Sequence, residues 1–193
     1  LAFPKPGLFK FPGAERAGTL KIPDIGIPSA LADASTIELY TPVMAANLLP
    51  RRPLNANKGT FGKVLVSAGS ANYSGAAYLA CSGAMRAGAG LVTLAAIPSV
   101  QSANAAKLAE TTYLPLPEKP PGMIAAGAAD TVYHECSNYN ALLLGCGLGQ
   151  NPATIEYATA LLLKVNLPPL VLDADGLNIL AKIPNWEKKL TFN

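Results

Sequence analysis

Three short stretches of this chain combine glycine, hydroxyl and carboxylate residues at spacings that suit ligand chemistry. The first is Gly69-Ser70 followed by Tyr73-Ser74-Gly75-Ala76, the second Gly145-Cys146-Gly147-Leu148-Gly149, and the third Asp173-Ala174-Asp175. A strand that enters a helix through glycines leaves backbone N–H groups at the helix N-terminus, where an anion can bind. This points to a phosphate-bearing ligand over Gly69, Ser70 and Ser74 to Ala76. The stretch fits neither named phosphate motif, however. The dinucleotide fingerprint needs G-x-G-x-x-G, and the glycines fall at 69 and 75 with none between. The P-loop needs a lysine after its second glycine, and Ala76 follows Gly75. A tight strand-to-helix connection, whose small residues let the helix lie close on a sheet, accounts for the pattern equally well.

In the second stretch, three glycines within five residues exceed what a turn alone requires, so close approach of backbone to a ligand is the preferred reading. In the third, Asp173 and Asp175 have the chemistry to hold a magnesium ion through water, to accept from a sugar hydroxyl or to act as a base. The competing reading makes Asp175 the N-cap of a helix at Leu177. The expectation is one of each: one cap and one carboxylate facing the site. Tyr73 suits stacking on a flat ring, or is simply an exposed loop tyrosine. Glu110 and Glu118 read as solvated loop charges. His134 is the single histidine, which argues against a Ser-His-Asp triad or a histidine metal site, and no metal ligands are assigned.

The elements that must position these residues follow from apolar runs and breakers. Val64 to Ser67 reads as a strand, with Ser74 as N-cap of a helix over Gly75 to Ala87 that Gly88 and Gly90 stop. Strands are predicted at Leu91 to Ala96, Thr112 to Leu116, Ala141 to Leu144 and Leu170 to Leu172. Helices are predicted at Ser99 to Leu108, Ile124 to Cys136, after the Asn151-Pro152 cap, and at Leu177 to Ala181. Ile155, Ala158, Leu161 and Leu162 give the third of these an apolar stripe. Residues 116 to 122 read as a proline-rich surface loop. Strands alternating with helices predict an α/β fold, a mostly parallel sheet covered on both faces. Ligands of such sheets bind beyond the carboxyl ends of the strands, where all three stretches fall.

Composition narrows the class. The chain has 193 residues, half of them hydrophobic and 14% charged, as a globular domain with buried strands requires. A net charge of +3, with adjacent basic pairs only at Arg51-Arg52 and Lys188-Lys189, gives no nucleic-acid footprint. No apolar run approaches the ~20 residues of a membrane span. Cys81, Cys136 and Cys146 are odd in number and widely spaced, which predicts reduced thiols and a cytoplasmic setting. Residues 1–28 differ from the remainder: prolines at 4, 6, 12, 23 and 28 allow only turns and short extended pieces such as Thr19 to Ile22 and Ile25 to Ile27. In residues 29–57, Thr41-Pro42 opens a short helix through Met44 to Leu49.

The runs KGTFGKVLVSAGSANYSGAAYLACSGAMRAGAGLV, ALLLGCGLGQNP and LVLDADGLNIL, with ETTYLPLPE between the first two, resemble the ADP/ATP-dependent NAD(P)H-hydrate dehydratases. The resemblance covers roughly residues 55 to 183 and implies a ribokinase-like fold, of which residues 58–193 are the N-terminal half. It implies repair of hydrated, redox-dead nicotinamide cofactors, with hydrated NAD(P)H as substrate and ADP or ATP with Mg2+ as cofactors. It implies that substrate lies against Ser74, Gly75, Ala76, Gly145, Gly147, Leu148, Gly149, Asp173 and Asp175, to which the residue reading above adds Gly69, Ser70 and Tyr73. Residues 1–28 resemble the end of an NAD(P)H-hydrate epimerase domain, with 29–57 as linker. In relatives a T-P-H-P-G-E segment begins near the place of residues 190 to 193. A later G-[TS]-G-D element supplies nucleotide-phosphate binding and the catalytic Asp, which is expected beyond residue 193. The expectation is therefore a fragment of a bifunctional enzyme, a homo-oligomer when intact, with little turnover alone. Two other readings remain open: a ribokinase-like small-molecule kinase, and a non-catalytic nucleotide-binding or structural module.

Overall fold

A computed structural model describes residues 3–32 and 37–190. Thr191 to Asn193, where the T-P-H-P-G-E segment is expected to begin, lie outside the described residues. The chain divides into two compact units, Leu1–Pro53 and Leu54–Asn193. The first holds two 3-10 turns, Pro6–Leu8 and Ser29–Ala32, and two helices, α1 (Gly13–Arg16) and α2 (Pro42–Leu48). Thr41 caps α2 as its sequence predicts, its Oγ1 accepting from the Met44 N–H at 3.3 Å. The segments expected to be extended, Thr19 to Ile22 and Ile25 to Ile27, pair with nothing as strands, and no described residue of this unit is buried.

The second unit is built on five parallel strands: β1 (Lys63–Ser67), β2 (Leu91–Ala96), β3 (Thr112–Pro115), β4 (Ala141–Leu144) and β5 (Leu170–Leu172), in the order β3-β2-β1-β4-β5. Its helices are α3 (Ser74–Ala87), α4 (Pro98–Ala105), α5 (Ala128–Cys136), α6 (Pro152–Leu162), α7 (Asp175–Leu180) and α8 (Trp186–Lys189). The α/β class and parallel sheet are thus as the sequence predicts. From β1 the chain steps outward through β2 to β3, then returns to the other side of β1 for β4 and β5. Right-handed crossovers then put α3 and α4, which pack together, on one face, and α5 and α6 on the other. The winding direction reverses between β1 and β4, the place where open α/β sheets leave a crevice.

Burial on both faces explains why the strands are apolar runs rather than alternating patterns. Leu65, Val66, Leu94, Leu142 and Leu144 are all fully buried, each worth about 1.5–3 kcal/mol. The polar exceptions are paired. The Ser67 and Tyr157 hydroxyls lie 2.7 Å apart between β1 and α6, and Thr93 bonds Thr112 at 2.6 Å while accepting from the Tyr139 hydroxyl.

Several boundaries differ from expectation. Ser74 is not the N-cap of α3 but its first residue; Tyr73 occupies the cap position and makes no side-chain cap bond. The helix predicted from Ile124 starts only at Ala128, because Ile124 bridges Glu118 across the 118–124 loop. The helix expected over Ser99 to Leu108 runs from Pro98 to Ala105. The Leu177 helix begins two residues early, so Asp175 lies inside α7 and does not cap it. The Asn151 cap of α6 is as read, its Oδ1 accepting from the Thr154 N–H at 3.1 Å.

Candidate functional site

The loops after β1 and β4 meet at the reversal of winding. Gly69 takes φ +83° and donates its N–H to the Cys146 carbonyl at 2.8 Å. Ser70, buried, donates its hydroxyl to the Gly147 carbonyl at 2.9 Å. Gly147 is glycine for two reasons: its φ is +66°, and a Cβ there would sit 2.6 Å from that of Ala76 and 2.9 Å from that of Tyr73. The third turn closes on the same place. A Cβ on Gly145 would overlap the Asp173 carbonyl, and Asp175 Oδ2 accepts from the Gly149 N–H at 2.8 Å. All three stretches singled out by sequence therefore converge on one rim.

Beside the first two lies an open cavity of about 310 Å³. One wall is Ser70 to Tyr73 and another Leu148 to Asn151. The third, Pro121 to Met123, comes from the proline-rich loop, which Glu118 shapes by accepting from the Gly122 N–H and which docks by the Ala71 N–H donating to the Gly122 carbonyl. The lining is uncharged at neutral pH, with the amides of Asn72, Gln150 and Asn151 and the exposed ring of Tyr73 as its polar elements.

Of the twelve residues named from sequence, Ser70, Tyr73, Leu148 and Gly149 line this cavity. Gly69, Gly145 and Gly147 stand behind them and hold the loops together; Ser74, Gly75 and Ala76 form the first turn of α3 beside them. The backbone donors of Gly69, Gly145, Leu148 and Gly149 are all spent inside the protein, on Cys146, Ser67, Gly145 and Asp175 respectively. The phosphate-bearing ligand expected over Gly69, Ser70 and Ser74 to Ala76 thus finds the Gly69 N–H already given to the Cys146 carbonyl. Asp173 accepts from the Cys146 thiol at 3.3 Å. Burial, then the hydrogen bond to and charge of Asp173, push that thiol up to about 11. Sequence reasoning missed Ala71, Asn72, Gln150, Asn151 and the Pro121 to Met123 wall. Its prolines marked that loop as surface, and nothing in the sequence marked it as a cavity wall.

Comparison with known proteins bears on what this cavity takes. The profile of the family described as NAD(P)H-hydrate dehydratase matches residues 64–191. A bifunctional NAD(P)H-hydrate repair enzyme Nnr of Moorella thermoacetica is 40% identical over 182 residues, covering 93% of this chain and 34% of that protein. An ADP-dependent (S)-NAD(P)H-hydrate dehydratase of Lactiplantibacillus plantarum is 28% identical over 143 residues, 74% of this chain and 48% of its own. The crystal structure of the ADP/ATP-dependent NAD(P)H-hydrate dehydratase of Bacillus subtilis, co-crystallised with ATP/Mg2+, superposes with a TM-score of 0.57 at 28% identity. That match covers 75% of this chain and 48% of the other. The chain thus spans about a third of the bifunctional relatives and about half of the single-function ones.

Proposed function

The chain belongs to the NAD(P)H-hydrate dehydratase family, and from that premise we propose that its cavity seats the nicotinamide end of hydrated NADH or NADPH. The reaction of the whole protein is loss of water from the hydrated ring, which restores the reduced cofactor. The observation that carries this reading is the meeting of the β1 and β4 turns at the sheet's reversal point, where with the 121–123 loop they enclose a cavity that no Asp, Glu, Lys, Arg or His lines and that a tyrosine ring and side-chain amides rim. A neutral, carboxamide-bearing ring suits such a lining better than a phosphate does.

The residues present do not fit ADP, ATP or Mg2+. The cavity lining carries neither lysine nor arginine, and the described residues contain no group of three or more His, Cys, Asp or Glu able to hold a metal ion. Of the two aspartates after β5, Asp175 is held by Gly149 and Gln150, and Asp173 by Cys146. We place the nucleotide and the proton-accepting group in the half of the dehydratase fold that this chain does not match. The residues seen here orient the ring and shield it.

Residues 1–28 are read as the end of an epimerase domain, 29–57 as a linker and 58–193 as dehydratase. The bifunctional relative aligns with 93% of the chain and the single-function one with 74%, which supports a shared leading part in the bifunctional enzymes. Unpaired cysteines at 81, 136 and 146 support a reducing, cytoplasmic setting. No helix among the described residues is long and apolar enough to cross a membrane.

Calorimetric titration of residues 1–193 with NADPH and, separately, with ADP tests the assignment. Binding of NADPH without binding of ADP is expected. ADP binding in the absence of NADPH binding overturns the division, and robust dehydration of hydrated NADH by these residues with ADP and Mg2+ would place the missing base among them.

A further inference from the structure

Gln150 follows the second glycine turn, lines the cavity, and has both ends of its side-chain amide engaged. Its Nε2 donates to Asp175 Oδ1 at 3.1 Å, and its Oε1 accepts from Lys182 Nζ at 2.6 Å. The other oxygen of Asp175 holds the Gly149 N–H at 2.8 Å. A carboxylate only accepts and an ammonium only donates, so this amide has one permitted orientation. Turned over, it would set its NH2 against the lysine and its oxygen against the carboxylate, losing both bonds. These contacts are exposed and contribute little stability; what they supply is polarity. A primary amide has two N–H groups and two lone pairs, so one of each remains, in a sense dictated from α7 and from Lys182 beyond it.

We propose that Gln150 is a specificity-determining residue that reads the hydrogen-bonding polarity of the group in this cavity, with Asp175 and Lys182 as positioning residues that fix its amide. The matching group is uncharged and carries a donor and an acceptor together, as a primary carboxamide does. A carboxylate in its place brings no donor for the free lone pair and adds a negative charge near Asp175. The inference rests on the reading that the cavity takes a reduced nicotinamide dinucleotide, and names which part of it is discriminated. In the sequence Asp175 reads as a helix cap or a site carboxylate, and nothing marks Gln150 or Lys182. Only the fold brings position 150 against 175 and 182.

The probes are NADPH and its deamidated counterpart, in which nicotinic acid replaces nicotinamide. They are titrated calorimetrically into residues 1–193, with thermal melts run alongside. The wild-type chain is expected to prefer NADPH by about tenfold, the worth of one well-placed hydrogen bond. Gln150→Ala should bring the two affinities together while leaving the melt nearly unchanged. The double variant Asp175→Asn/Lys182→Glu separates positioning from mere structure. There the new amide at 175 can give its oxygen to Gly149 and its NH2 to a turned-over Gln150, whose own NH2 meets the new carboxylate at 182. Every hydrogen bond is remade, so the melt should match that of the wild type, whereas the preference for NADPH should be lost. Retention of that preference in the double variant, or discrimination surviving in Gln150→Ala, overturns the proposal. Absence of any NADPH binding by the wild-type chain overturns the functional reading itself, a different result from binding without discrimination.

Discussion

Cys146 shows how one side chain's chemistry is set by a neighbour from another strand. Its thiol donates to the Asp173 carboxylate, and burial, followed by that bond and charge, raises it to about 11. Only the thiolate is nucleophilic, so a raised thiol is slow at neutral pH. Alkylation of Cys146 by iodoacetamide should therefore be sluggish near neutrality and accelerate as the pH climbs towards about 11. Asp173→Asn removes the charge and lowers the thiol, so the neutral-pH rate should rise, about tenfold for each unit by which it falls. Peptide mass spectrometry reads this directly, and an unaltered rate would remove Asp173 as the cause. Cys81 and Cys136, buried and raised to about 12 and about 11, should stay unmodified in the folded chain. Residue types at the rim were legible in the sequence, because glycines and aspartates at strand ends have few other uses. Their partners were not. Nothing local pairs Cys146 with Asp173, or gives Asp175 to Gly149 rather than to the cap of its own helix; those pairings exist only once β4 and β5 are side by side.

At the scale of elements, the glycines near the cavity separate by what surrounds them. Gly147 has both a positive φ and no space for a Cβ, so Gly147→Ala should cost about 2–4 kcal/mol in urea unfolding, strain and overlap together. Gly149, at φ +80° with open space beside it, should cost only about 1–2 kcal/mol on the same change. Gly75 lies in the first turn of α3 with nothing near a Cβ, and Gly75→Ala should stabilise by up to about 1 kcal/mol. Affinity for NADPH falling in that variant, despite the gain, would assign Gly75 to the ligand; unchanged affinity would leave it a helix residue. The strands were legible to within a residue, since buried parallel strands are short apolar runs between glycines. Helix starts were less so. The chain before Ala128 is drawn into the 118–124 loop, and Tyr73 reaches the cap position of α3 because its N–H is taken by the Ser70 carbonyl.

For the whole molecule, the division after Pro53 and the exposure of Pro50 to Asn55 predict where a protease enters. Brief trypsin treatment should cut at Arg51 and leave a resistant piece containing all five strands, with circular dichroism and melting intact. Loss of that piece before the leading residues would contradict the division. The sequence pointed to this boundary region through its prolines, yet could not show how little the leading unit buries. β5 ends the sheet with Val171 about half exposed, an edge that an additional strand or partner would cover. One hydrogen bond described above has a reach beyond its strength. The link from Ser70 to Gly147 joins positions 77 apart in the chain, across the one seam where the two directions of winding meet. Neither half of the winding contains the cavity by itself, so the cavity exists only when both are in place. A molecule that settles there recognises the finished protein alone, and its binding free energy counts in full against global unfolding rather than against the loosening of any single part.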